Sequence, residues 1–484
     1  MTLTPAFATA GLEQLNARVH HDLACLNYPP SNWVVPRSHE SGAHVYDVVI
    51  IGGGQCGMVA AFALLAGGIS NIRVLDRNPE GQEGPWLNYA RMETLRSPKT
   101  LPGPCYGMGS LTFRAWYEAQ FGSEAWEALD KAPRTLWMDY LRWYRQVLAL
   151  PIDNEVAVEH VKPEGDLLSL ELSGRNAPDA SLLTRKLIMA TGREGTGAPK
   201  IPDFVEGLPA SAWAHSADDI DFASLADKRV VVIGVGASAV DNAAEALEHG
   251  AREVRLLIRR PQMPTINKMM GIGSFGFTHG YSTLSDEWRW RFMHYSFITQ
   301  TPPPRGSTLR VSRHPNAHFH FNCAIEDMRM EGDEVVITTS QGKRLSCDFV
   351  ILGTGFEIDP IARTELAGYA DRILLWKDRY SPPPELEHEE LGNFPYVDRD
   401  FAFQEREPGS APWLKHIHCF NYGATVSMGK VSGDIPGISD GANWLASAIA
   451  AQLYRQDIEA HWNTLQNYDS PELQGDEWQA TPLP

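Results

Sequence analysis

Residues 52–57 read Gly-Gly-Gly-Gln-Cys-Gly and stand between a nearly continuous apolar run at 46–52 and a stretch of small residues. Glycines at the first, third and sixth places permit a tight bend from strand to helix. They also let backbone N–H groups approach a pyrophosphate at the positive end of that helix. Gly52, Gly54 and Gly57 are therefore candidate phosphate-binding residues. Asp76 closes the next strand-like run, 24 residues after Gly52, where a carboxylate can accept hydrogen bonds from a ribose hydroxyl; Arg77 follows it. A second turn, Gly234-Val235-Gly236-Ala237-Ser238-Ala239, lies in the same strand-to-helix position. The same count of 24 from Gly234 ends at Ile258, and Arg259 and Arg260 come next. Guanidinium groups bind a 2′-phosphate bidentately, whereas a carboxylate repels it. The first turn is expected to take a ribose without a 2′-phosphate, such as that of FAD, and the second to take NADPH. Gly234, Gly236, Ala237 and Ser238 form the second candidate cradle.

Two cradles of opposite polarity imply electron flow from NADPH to a flavin. Residues 189–195 (MATGREG) and 352–359 (LGTGFEID) bracket the second cradle, and each is an apolar strand ending in Thr-Gly. Thr191, Gly192, Thr354 and Gly355 are read as the crossings between a flavin domain and an inserted nicotinamide domain. The expected fold is α/β with two Rossmann-like domains, the NADPH domain interrupting a discontinuous FAD domain. The expected bounds are an N-terminal helical extension at 1–44, a first FAD part at 45–200, the NADPH domain at 201–345 and a second FAD part at 346–484. An acidic, proline-rich stretch at 380–412 reads as a long surface loop, and it and the N-terminal helix are candidate lids.

The 484 residues carry 42 basic against 60 acidic side chains, a formal charge of −18, with no basic run to neutralise phosphates; nucleic acid and anionic membranes are excluded as expected partners. No apolar stretch approaches the roughly 18 residues a membrane span needs, so a cytoplasmic protein acting on a small molecule is expected. Its oligomeric state is not legible. Six scattered cysteines without a close pair indicate neither a disulfide framework nor a thiolate metal site. Cys56 is accordingly read as a small filler of the turn, not a redox centre. Histidine pairs at 318–320 and 416–418 lack companion carboxylates or thiols, and no metal is expected. The aromatic segment at 112–148 has helical spacing and is read as core.

These motifs together resemble the class B flavoprotein monooxygenases: flavin-containing, Baeyer–Villiger and N-hydroxylating enzymes. The resemblance covers roughly residues 46–455. The family fingerprint before the second cradle is met in part: His215 holds the histidine place, while Pro209, Ser211 and Asp219 replace the usual phenylalanine, glycine and aromatic. By resemblance, Trp86, Arg91, Ser97 and Lys99 would line the flavin, and the helix start near Asp434 would face its ring. Arg305 lies where Baeyer–Villiger enzymes carry an active-site arginine, so Arg305, His215 and Ser97 are the expected catalytic residues. The resemblance implies a cycle in which NADPH reduces FAD, O2 adds, and a flavin hydroperoxide delivers one oxygen atom to a small organic substrate by Baeyer–Villiger insertion or N-/S-oxygenation. The alternatives are an NADPH-dependent disulfide reductase, an NADPH oxidase and a non-catalytic flavin-binding protein.

Overall fold

The apolar run after His44 forms β1 (Val45–Ile51), which is buried along nearly all of its length, as a central parallel strand must be. In this computed structural model, which describes residues 8–177 and 181–484, β1 is followed by β2 (Ile72–Asp76), β3 (Ile152–Asn154), β4 (Ala157–Glu164), β5 (Leu167–Ser173) and β6 (Ser181–Met189). They assemble in the order β3-β2-β1-β6-β5-β4, parallel from β3 to β6 and antiparallel through β5 and β4. The chain then leaves through β7 (Gly197–Pro199).

The next strands are β8 (Trp213–His215), β9 (Arg229–Ile233), β10 (Glu253–Leu257) and β11 (Ala317–His320). An antiparallel meander follows: β12 (Ile325–Glu331), β13 (Glu334–Thr339) and β14 (Arg344–Cys347). β15 (Phe349–Leu352) then pairs in parallel with β9 and β8, completing a sheet ordered β11-β10-β9-β15-β8. This corrects the expected bound at 345: the strand at 349–352, taken for the return to the first unit, belongs to the second sheet. Its apolar character suits either sheet, and only pairing decides between them.

β16 (Phe356–Ile358) pairs antiparallel with β7, so the outgoing and returning chains form one two-stranded ribbon between the sheets. The approach is close enough that a Cβ on Gly197 would lie 1.8 Å from the Glu357 carbonyl oxygen. β17 (Ile417–Cys419) finally joins the first sheet beside β6. The second sheet is thus inserted between β6 and β17 of the first, the α/β architecture read from the sequence.

Both candidate lids are anchored in the core. The stretch 380–412 is anchored in the core at Leu391, Phe394, Phe401, Phe403 and Ala411, which are fully buried, and bridges join Val397 to Phe403 and Ala402 to His418, while His388 and Glu390 line the cleft described below. Its prolines and acids mask apolar anchors spaced too irregularly to show a period. The N-terminal helix Ala8–Cys25 sinks Leu15, Val19 and Leu23 into the first core against the helix Phe113–Ala128. None of its described residues lines the cleft discussed below.

Candidate active site

Both glycine turns open on one continuous cleft of about 2330 Å³. A pocket for one drug-sized ligand occupies roughly 300–1,000 Å³, so this volume suits more than one ligand. The glycines divide their roles in parallel. Gly52 and Gly234 adopt φ values of +101° and +109°, which side-chain-bearing residues rarely tolerate. Gly57 packs the helix Gln55–Ala66 onto the strand, since a Cβ there would stand 1.8 Å from the Gly52 oxygen. In the second turn Ala239 fills that place, directly against Gly353. The middle glycines differ: Gly236 has nothing within 4 Å of a built Cβ, and Gly54 has only ordinary contact with Gly84 at 3.6 Å. The positions that must face a phosphate are the open ones.

Asp76 is buried and lines the cleft; its Oδ2 accepts from the Gly53 N–H at 2.7 Å and its Oδ1 from the Asn78 N–H at 2.8 Å. Burial raises its pKa while these two bonds lower it. The carboxylate therefore braces the turn as well as facing a ribose position. Arg77 is held by Glu194 at 3.3 Å. Arg259 is exposed on the cleft wall, and Arg260 donates to the Ile298 oxygen at 3.1 Å. Trp86, Arg91, Ser97, Thr191, Gly192, Ala237, Ser238, Thr354, Gly355 and Asp434 also line the cleft. Thr191 Oγ1 donates to the Gly195 oxygen at 2.8 Å, Thr354 Oγ1 donates to the Lys200 oxygen at 2.5 Å, and Arg91 donates to the Asn88 and Asp218 oxygens. Asp434 pairs with Lys430 at 3.4 Å, just before the helix Ile438–Gln456 whose first turn enters the cleft.

Three residues expected here are elsewhere. His215 is buried off the cleft; its Nε2 donates to the Gly355 oxygen at 2.9 Å and its Nδ1 accepts from the Ala217 N–H at 3.1 Å. Both ring nitrogens are thus engaged with backbone, and burial lowers its pKa; it positions the second Thr-Gly turn. Arg305 is exposed at the start of the helix Arg305–Ser312 and does not line the cleft. The sequence interval that mapped it onto a family arginine carries no information about direction. Lys99 turns away and donates to the Trp126 and Glu127 oxygens at 2.6 and 3.2 Å.

The cleft also holds residues that the motifs did not mark. Arg96 and Arg193 both line it, and the Arg193 guanidinium lies 3.9 Å from the Tyr422 ring centroid. Residues 267–301, between β10 and β11, supply Phe277, Tyr281, Met293 and Phe297 to its wall, backed by a core with Trp376, Leu391 and Phe394. Apolar and polar residues fall all round the helix Asp286–Thr299, so no stripe announces it. Arg193 had a local signal, directly after a Thr-Gly turn; Arg96 had none.

Five buried polar atoms on the cleft wall lack a protein partner among the described residues: Trp86 Nε1, Gln55 Oε1, Asp241 Oδ1, Asn242 Oδ1 and Asn267 Oδ1. Buried polar atoms are normally satisfied, and these flank the two turns, as bound dinucleotides require. Cys56 also lines the cleft; burial pushes its thiol up to about 12, so it stays protonated at neutral pH. No group of three or more His, Cys, Asp or Glu residues fit to hold a metal occurs among the described residues. No helix among them is long and apolar enough to cross a membrane.

Comparison with known proteins agrees with this arrangement. The pyridine nucleotide-disulphide oxidoreductase family profile matches residues 49–271. A relative from Xanthomonas campestris pv. campestris, the FAD-dependent urate hydroxylase, is 39% identical over 467 residues, covering 96% of this chain and 98% of its own. The ornithine hydroxylase of Pseudomonas aeruginosa superposes with a TM-score of 0.65 at 16% identity, over 84% of this chain and 100% of that one. The bacillithiol disulfide reductase of Bacillus cereus gives 0.55 at 19%, over 84% and 100%. At such identities the two solved structures speak to the fold alone.

Proposed function

The chain belongs to the class B flavoprotein monooxygenases, and from that membership we propose that it is an NADPH-driven, FAD-dependent hydroxylase of urate or a closely similar planar heterocycle. One observation carries the reading: two phosphate turns, one ending in an acid and one in two arginines, open on a single cleft. The first turn and Asp76 would hold FAD, with the Trp86 and Gln55 side chains satisfied by it. Gly236, Ser238, Arg259 and Arg260 would hold NADPH, the arginines selecting its 2′-phosphate. The proposed FAD unit comprises residues 45–200 and 356–456, and the proposed NADPH unit residues 201–352.

When bound, FAD supplies two-electron acceptance from a nicotinamide and activation of O2. The balance is urate, O2, NADPH and a proton going to hydroxylated urate, water and NADP+. The protein's share is to orient and to exclude water. The first turn of the helix Ile438–Gln456 favours negative charge on whatever faces it. The aromatic wall of Phe277, Tyr281 and Phe297 keeps the reaction space apolar. Hydroxylation is favoured over Baeyer–Villiger insertion because Arg305, which would hold an anionic oxidant, is exposed outside the cleft. A disulfide reductase is disfavoured by the protonated Cys56 thiol and by six free cysteines.

The test is NADPH and NADH consumption by the flavin-loaded protein with and without urate, with urate absorbance and peroxide followed together. Urate should accelerate NADPH consumption, with about one urate lost per NADPH and little peroxide. Consumption indifferent to urate, with stoichiometric peroxide, would make the protein an oxidase.

A further inference from the structure

Arg96 and Arg193 reach the cleft from separate segments, and the Arg193 charge acts on Arg96. Like charges brought together are costly unless something neutralises them. Neither guanidinium makes an ion pair within 4.0 Å or a hydrogen bond with another described residue. The nearby acids are committed elsewhere: Glu194 pairs with Arg77 and Arg363, both at 3.3 Å, and Asp434 with Lys430 at 3.4 Å. Asp241 faces Arg310 as well as Arg96, and its Oδ1 has no partner among the described residues. Arg96 is accessible through the cleft mouth, yet the walls desolvate it enough to draw its pKa down. Two uncommitted cations therefore share one recess of a strongly acidic protein.

The place of the pair identifies what neutralises it. Asp241 belongs to the helix of the second turn, and Asp434 precedes the helix Ile438–Gln456; Arg96 lines the cleft and feels both charges, which places it between the two cradles. The phosphates have their own partners in the helix starts and in Arg259. The Arg193 guanidinium carbon lies over the Tyr422 ring, 3.9 Å from its centroid, a contact that leaves the N–H donors free for a bidentate acceptor.

We propose that Arg96, Arg193 and Tyr422 form the specificity subsite for a planar organic monoanion, so that the substrate is bound as its anion between the two cofactor sites. The inference rests on the hydroxylase reading above and names the substrate's charge state and the residues that recognise it. A charged hydrogen bond of this kind contributes about 1.5–3 kcal/mol, which corresponds to roughly tenfold to 150-fold in affinity.

The experiment uses the flavin-loaded full chain and its R96Q, R96K and R193Q variants, with urate and the uncharged planar purine caffeine as probes. Binding is read as the change in the flavin visible spectrum, and turnover as NADPH consumption. Urate should perturb the wild-type spectrum more tightly than caffeine. R96Q and R193Q should each raise the urate Kd and KM at least tenfold, with the KM for NADPH moving less than twofold and R96K recovering part of the loss. Urate that perturbs the wild-type spectrum, but not that of the variants, without being turned over leaves the subsite standing and removes the urate hydroxylase reading. Equal urate affinity in wild type and variants, no urate perturbation in wild type, or a loss falling on NADPH would each overturn the proposal.

Discussion

At the scale of single residues, the two turns separate packing from binding. Gly57 and Gly236 occupy different places in similar motifs, and their surroundings make opposite demands. A methyl group on Gly57 would collide with the Gly52 oxygen at 1.8 Å, backbone that has no room to move. One on Gly236 would meet no protein atom within 4 Å. Gly57→Ala is therefore expected to lower the melting temperature by several degrees and to yield protein short of FAD, at a cost of about 1–3 kcal/mol. Gly236→Ala should fold as well as wild type and retain FAD while its KM for NADPH rises about tenfold. Thermal melts with flavin absorbance and NADPH kinetics check both. A Gly236→Ala protein with unchanged NADPH kinetics would remove the second turn from the cofactor site.

At the scale of elements, β6, β17 and the helix Ile438–Gln456 enclose a polar cluster of which the sequence marked only the histidine pair. Lys186 on β6 is 1% exposed; its Nζ lies 2.8 Å from His416 Nδ1 and donates to Gln452 Oε1 at 2.6 Å. Burial lowers the lysine to about 7, although the Asp400 charge opposes the shift. Burial and the Lys186 charge lower His416 and His418 to about 3. Each group binds its proton more weakly in the folded than in the unfolded chain, so protonation favours unfolding. The stability held by the neutral lysine is complete above its ordinary 10.5 and is lost as pH falls through about 7. That held by the histidines is complete above 6.5 and drains as pH falls toward about 3. Lys186→Met is expected to flatten the rise of melting temperature between about pH 7 and 10 and to leave the acid loss in place. A wild-type melting temperature constant across the alkaline range would contradict the neutral lysine.

At the scale of the whole molecule, chemistry depends on how the two sheets are held across the cleft. The β7–β16 ribbon is one tie. Arg310 is another: from the second unit it pairs with Glu245 at 2.8 Å and Glu248 at 2.6 Å, and its Nη1 donates to the Arg91 oxygen at 3.0 Å in the first. Arg310→Gln keeps a donor but loses the fork that spans these partners. Anaerobic stopped-flow reduction by NADPH should slow about tenfold or more while FAD remains bound, because a small misplacement of two reacting rings is costly. Reduction at the wild-type rate would show that the ribbon alone sets the geometry.

Much of this was legible in the chain itself. Glycine spacing, the acid and the arginines that end the two units, and the buried apolar strands are local signals, since strand-turn-helix geometry is decided within some 30 residues. They sufficed for the α/β fold, the inserted second sheet and the family. The rest depended on contacts between distant segments. Whether the strand at 349–352 joined one sheet or the other was a matter of pairing, and burial of Phe394 and Phe403 anchored an acidic stretch in the core. Direction settled the arginines: Arg305, chosen by position in the chain, is exposed outside the cleft, while Arg96 and Arg193 line it. Sequence determines which turns a backbone can make; only the tertiary structure decides which charges are left facing one another without a partner.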